Sequence, residues 1–174
     1  GIAICIFLLP SISKKIKSDN LEIVHQSIEQ TLLFSLLFAV PASVGIYSLS
    51  EQIISVLFER GEFDEKSSLF TAKALKFYAL GLVAFILMKI YTPIFFAHEN
   101  AKPILYVTVA NLSINTVLSI VFFIYIGFIG IPIATSVSAW ISIILMKYYL
   151  KKYDYYQVSK RIILPTIIII TASL

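Results

Sequence analysis

The chain has 174 residues, of which 59% are hydrophobic and only 14% charged, with a formal net charge of +4. Soluble domains run at roughly 45–50% apolar and 25% charged, so this excess of apolar residues cannot be housed in one water-soluble core. The basic surplus would suggest nucleic acid in a soluble protein, but here it sits in short loops beside apolar runs, where it reads as a topology signal and as contact with anionic headgroups.

The first apolar segment runs from Ile2 to Ile12 and lacks the basic start and small-residue cleavage site of a secretory signal. With Ile162 to Leu174 at the other end it reads as a crossing cut short, so the chain is expected to be an internal piece of a longer protein. The single Cys5 lies in the first run, where packing explains it better than metal binding. Ser18 to Glu22 offers helix-capping chemistry, and Leu21, Val24, Ile28 and Leu32 form the apolar face of a short amphipathic helix that feeds the next crossing. That crossing, Thr31 to Phe58, contains Pro41 among small residues, and Phe77 to Ala97 contains Pro93; both prolines are expected to kink their helices.

From Pro103 to Met146 there are forty-four consecutive residues without Asp, Glu, Lys or Arg, interrupted by a turn at Gly127 to Pro132. A hydrocarbon core is about 30 Å thick and a helix rises about 1.5 Å per residue, so this stretch is two crossings, Pro103 to Tyr125 and Ile129 to Met146, joined by a tight hairpin. The predicted architecture is all-α: a polytopic transmembrane bundle of six helices, four of them full crossings and the outer two truncated. Loops are short, at Ser13 to Gln30, Glu59 to Lys76, His98 to Lys102, the hairpin, and Lys147 to Arg161. Nine basic residues fall in the first, third and fifth loops against four on the opposite face, which assigns the former to the cytoplasm. Tyr148, Tyr149, Tyr153, Tyr155 and Tyr156 crowd that border as interface anchors.

Polar groups inside a bilayer are costly unless partnered, and so they are the informative ones. Thr108, Asn111, Asn115 and Ser119 fall on one helical stripe, and Thr135, Ser138 and Ser142 on another. Interhelical hydrogen bonding and close packing account for both stripes. The sharper reading has Asn111, Asn115 and Thr135 lining a polar substrate path or coordinating a cation. Lys89 is the basic residue deepest in a crossing; its stem can reach toward the headgroups about 13 Å away, or it faces a central cavity and attracts an anionic head group. His25 and His98 lack companions at ligand spacing, and signatures of membrane enzymes are missing from this stretch.

Several blocks together resemble one known family. Leu8 to Lys14 (LLPSISK), Val40 to Gly45 (VPASVG), Leu57 to Asp64 (LFERGEFD), Thr71 to Leu75, Tyr78 to Leu82, Lys89 to Pro93 (KIYTP), Phe95 to Ala97 and Ala134 to Trp140 (ATSVSAW) occur in the order found in the MurJ/MviN lipid II flippases. The most specific is the outer loop with Phe58, Glu59, Arg60, Gly61 and Phe63. The resemblance covers nearly the whole chain. It implies a MATE-like, fourteen-helix transporter of the oligosaccharidyl-lipid and polysaccharide exporter superfamily, of which residues 1–174 would span late helix eight to early helix thirteen.

What the resemblance implies about function is flipping of lipid II, an undecaprenyl-linked precursor, across the bacterial inner membrane by alternating access. Covalent catalysis is not required, and membrane lipids rather than nucleic acid are the other expected partners. The family's cargo-binding arginines fall outside this stretch, whereas Lys89 matches a lysine of its pattern. No organic cofactor is implied; a sodium ion between the lobes is implied by some members of the family, with Asn111, Asn115 and Thr135 at the corresponding place and an asparagine in place of a carboxylate. The alternatives are a MATE-like exporter of drugs or other polysaccharide lipids, and a polytopic enzyme acting on a prenyl phosphate.

Overall fold

The computed structural model describes residues 21–58 and 64–156. The apolar runs at Ile2 to Ile12 and Ile162 to Leu174, Cys5, and loop residues Glu59, Arg60, Gly61 and Phe63 lie outside them. Four α-helices account for most of what is described: α1 (Leu21–Phe58), α2 (Glu65–Ala97), α3 (Lys102–Ile126) and α4 (Gly130–Lys152), with a 3₁₀ turn at Gly127–Ile129 between the last two. Three stretches are long and apolar enough to cross a membrane, Val24–Phe58, Glu65–Ala97 and Lys102–Lys152. The third, of 51 residues, is broken at Gly127 and folds back so that α3 and α4 pack along one another.

The amphipathic start and the crossing that follows it are one helix. α1 has 38 residues, about 57 Å of rise against a hydrocarbon core of about 30 Å, so it extends beyond the membrane at one end or both. Val24, Ile28, Leu32, Leu36 and Val40 recur at steps of four and are all buried, which lays a continuous apolar stripe against α2. α2 likewise starts at Glu65, twelve residues before the apolar run that marks it in sequence. The loop expected over Glu59 to Lys76 is therefore helical from Glu65 on. Asp64 is the cap: its carboxylate accepts the Ser67 N–H at 2.9 Å, and the Ser67 side chain followed by that N–H holds the carboxyl below its usual range. Ser68 and Ala72, one turn apart, bury the face that the charged residues of this segment conceal.

The helices pack in the order α1, α2, α4, α3, and α3 hardly touches α2. α2 is held from both sides through its own backbone. The Ser43 hydroxyl of α1 donates to the Ala79 carbonyl at 2.5 Å; from α4, Ser136 donates to Phe77 at 2.6 Å and the Trp140 indole to Leu80 at 3.0 Å. Such bonds need close backbones, and Gly81 permits them: a Cβ there would lie 2.7 Å from the Ser136 hydroxyl. Ala134, Ser138 and Ser142, all almost fully buried at steps of four, supply the small surface on α4. Pro41 and Pro93 lie inside α1 and α2, and neither helix is interrupted.

At the end that charge assigns to the cytoplasm, α2 and α4 terminate alike. Glu99 and Asp154 adopt positive φ, 55° and 53°, and the next residues turn back, Asn100 N–H to Phe95 and Tyr155 N–H to Leu150, each at 3.0 Å. The two turns meet: Asn100 donates its amide to the Tyr155 hydroxyl at 3.1 Å, and the Tyr155 ring lies flat on His98 with centroids 3.9 Å apart. Tyr156 packs beside His25 of α1 and Tyr91 of α2, so three helices share one aromatic corner. Burial pushes the Tyr156 phenol well above its ordinary range, and burial followed by the nearby His25 holds the His98 imidazole below its own.

The hairpin rests on two glycines with different duties. Gly127 has φ of +76°, and a Cβ on Gly130 would come within 2.4 to 2.6 Å of Phe122 backbone and Cβ atoms. Gly130→Ala is expected to cost about 1–3 kcal/mol through overpacking. Gly45→Ala, with nothing within 4 Å, is expected to be neutral or to gain up to about 1 kcal/mol. Thermal unfolding in detergent compares the two.

Candidate translocation-path residues

The α3–α4 seam carries a ladder of neutral polar groups. Helical periodicity puts Asn111, Asn115 and Ser119 on the half-buried side of α3, while Thr108 is exposed, because the buried face at that end runs through Pro103 and Val107. Asn115 is the centre of the ladder. Its amide donates to the Ser138 hydroxyl at 3.2 Å and, at a longer 3.4 Å, to the Thr135 hydroxyl, while its oxygen accepts from Ser119 at 3.0 Å. Thr135 and Ser138 pass their own protons to carbonyls of α4, at Ile131 and Thr135, and Ser142 does so to Ser138. One turn away, the Asn111 side-chain oxygen is buried without a hydrogen-bond partner.

These groups are uncharged amides and hydroxyls that saturate one another. Their chemistry is that of an interhelical clasp with one unused acceptor. A cation would find the Asn115 amide presenting N–H toward Thr135 and its oxygen already taken by Ser119. Among the described residues there is no group of three His, Cys, Asp or Glu side chains that could hold a metal ion.

Lys89 belongs to a different surface. It is exposed on α2, on a stripe with exposed Tyr78 and Phe96, eleven residues before it and seven after. The structure brings Asn115 and Thr135 together and places Asn111 one turn from them; Lys89 sits on a helix that makes little contact with α3. Glu51 pairs with Lys76 across α1 and α2 at 2.7 Å, an exposed bond between residues 25 apart that no local pattern announces. The roles of the donors Ser43, Ser136 and Trp140 also escaped the sequence reading, where these three stood only within the family blocks Val40 to Gly45 and Ala134 to Trp140.

The chain matches the family described as lipid II flippase MurJ over residues 1–173. It is 36% identical over 152 residues to a protein of Rickettsia prowazekii named "Probable lipid II flippase MurJ", covering 87% of this chain and 30% of that protein. It is 30% identical over 160 residues to the "Lipid II flippase MurJ" of Burkholderia cenocepacia, covering 91% of this chain and 31% of that one. A solved structure, "Lipid II flippase MurJ, inward closed conformation", superposes with a TM-score of 0.82 at 26% identity, covering 98% of this chain and 34% of the other. The chain thus spans about a third of the length of the proteins it matches.

Removing the clasp separates its members. Asn115→Leu strands the Ser119 donor and is expected to cost about 1–2 kcal/mol, whereas Asn111→Leu, which removes an unpartnered buried oxygen, is expected to be neutral or stabilising. Thermal unfolding of the full-length protein in detergent reads both.

Proposed function

Since the chain belongs to the lipid II flippase MurJ family, we propose that the full-length protein moves lipid II across the bacterial inner membrane by alternating access, as a transporter and not as an enzyme. The match along residues 1–173 carries this reading, and the superposition on a flippase structure supports it. The anionic pyrophosphate and sugars would cross through a polar interior while the prenyl tail stays in the bilayer. No bond is made or broken, so the work is electrostatic and conformational, driven by membrane potential or an ion gradient.

Within this stretch the proposed roles differ. Lys89 would present an ammonium to the passing head group from the exposed stripe of α2, an intramembrane cation being by default a candidate site for an anion. The α3–α4 ladder would hold its two helices together. Coordination of sodium by Asn111, Asn115 and Thr135 fits these residues poorly: the Asn115 amide would have to turn over, and a carboxylate from outside the described residues would have to supply charge. No step of translocation is therefore routed through the ion.

Depleting the full-length protein and measuring lipid II on each leaflet tests the proposal: the precursor should accumulate on the cytoplasmic side, and unchanged translocation would refute it. Export of a drug or another polysaccharide lipid would instead leave lipid II untouched, and an enzyme would alter the prenyl phosphate chemically. Lys89→Ala at normal membrane abundance should lower translocation; full activity would leave Lys89 only its reach to the headgroups.

A further inference from the structure

The hydroxyl protons of the α3–α4 seam decide which way the Asn115 amide faces. Thr135 donates to the Ile131 carbonyl at 2.9 Å and Ser138 to the Thr135 carbonyl at 3.0 Å, so each has placed the one proton a hydroxyl carries and offers only lone pairs across the seam. Ser119, one turn along α3 from Asn115, does the opposite and sends its proton to the Asn115 oxygen at 3.0 Å. The amide is therefore fixed from both sides. Its NH₂ faces the two acceptors on α4, 3.2 Å from Ser138 and 3.4 Å from Thr135, and its oxygen faces the Ser119 donor.

A small hard cation in this seam would need the same lone pairs, because such ions bind oxygen. The Asn115 NH₂ already reaches both hydroxyl oxygens with two polarised N–H bonds, and it does so without a net charge that the membrane interior would penalise. One turn back along α3, the Asn111 side-chain oxygen is a buried acceptor without a hydrogen bond. The identity of a single atom at position 115 thus separates two kinds of seam. With nitrogen there, donors meet acceptors and the clasp is closed; with a carboxylate oxygen there, lone pairs would meet lone pairs beside the unused Asn111 oxygen, and a cation would be the missing partner.

We propose that the Asn115 amide takes the place of a cation in the α3–α4 seam and that Asn115 is the residue that sets the ion requirement there. As the chain stands, the seam binds no sodium and draws nothing from a sodium gradient; a carboxylate at this one position would turn it into a cation site. The consequence for the energy of translocation rests on the flippase reading, whereas the occupancy of the seam is a property of these residues alone.

Thermal unfolding of the full-length protein in detergent, with sodium chloride exchanged for choline chloride at constant ionic strength, reads the ion without a transport assay. The parent and Thr135→Val should respond to sodium alike, because no ion touches that hydroxyl. Asn115→Asp should unfold earlier than the parent in choline and regain a few degrees in sodium, saturably. That gain should shrink when Thr135→Val is added, and again as pH falls, since a proton on the carboxyl supplies the missing donor. A saturable sodium stabilisation of the parent that Thr135→Val abolishes would overturn the proposal, as would an Asn115→Asp variant that responds to sodium only as the parent does. Should Asn115→Asp fail to fold, the comparison of the parent with Thr135→Val decides the matter by itself. A failed flippase assay would leave either result standing.

Discussion

The packing of this bundle depends on the carbonyls of α2 between Phe77 and Leu80. In water a helix can join its neighbours through apolar area alone, but lipid tails are as apolar as leucine, so association must come from close fit and hydrogen bonds. Here three donors from two helices reach the backbone of the third within one turn. The two from α4 get there because Gly81 and the small residues of α4 bring those backbones together. Each donor satisfies itself at the same time, so no hydroxyl or indole N–H of this group is left in a medium that would charge several kcal/mol for it.

The same economy explains the lopsided position of α3. It is bound to α4 through the Asn115 ladder and the glycine hairpin and to little else among the described residues. At the opposite end of α2 and α4, the paired turns at Glu99 and Asp154 and the stack of His98 on Tyr155 close a second junction. α1, α2 and α4 are therefore joined at two levels of α2, by carbonyl bonds near Gly81 at its middle and by aromatic contacts near Tyr91 toward its C-terminus. Among the described residues α3 has one close neighbour and a broad exposed apolar face.

Much of this was legible from residues alone. Forty-four uncharged residues broken by glycines dictated the α3–α4 hairpin, since length fixes the number of crossings and Gly127 and Gly130 are where a left-handed turn and a close approach are cheap. The stripe of Asn111, Asn115 and Ser119 followed from helical period. The early start of α2 was hidden because Glu65, Lys66, Lys73 and Lys76 mask a helix whose buried side is only Ser68, Ala72 and Ala74. Pairings between distant positions were not legible at all: Ser43 with Ala79, Ser136 with Phe77 and Glu51 with Lys76 depend on which helices become neighbours, a property of the whole arrangement. Lys89 was recognisable as unusual, but its place on the exposed stripe of α2, on a helix that makes little contact with α3, required the fold.

If the contact at Gly81 is what holds α2, the account is tested most directly by thermal unfolding of the full-length protein carrying Gly81→Ala, Ser136→Ala, or both. The added methyl should lower the unfolding temperature, and Ser136→Ala, by removing the hydroxyl 2.7 Å from the new carbon, should recover part of that loss, so that the double variant is more stable than the sum of the two changes predicts. An unfolding temperature unmoved by Gly81→Ala, or two effects that simply add, would contradict it.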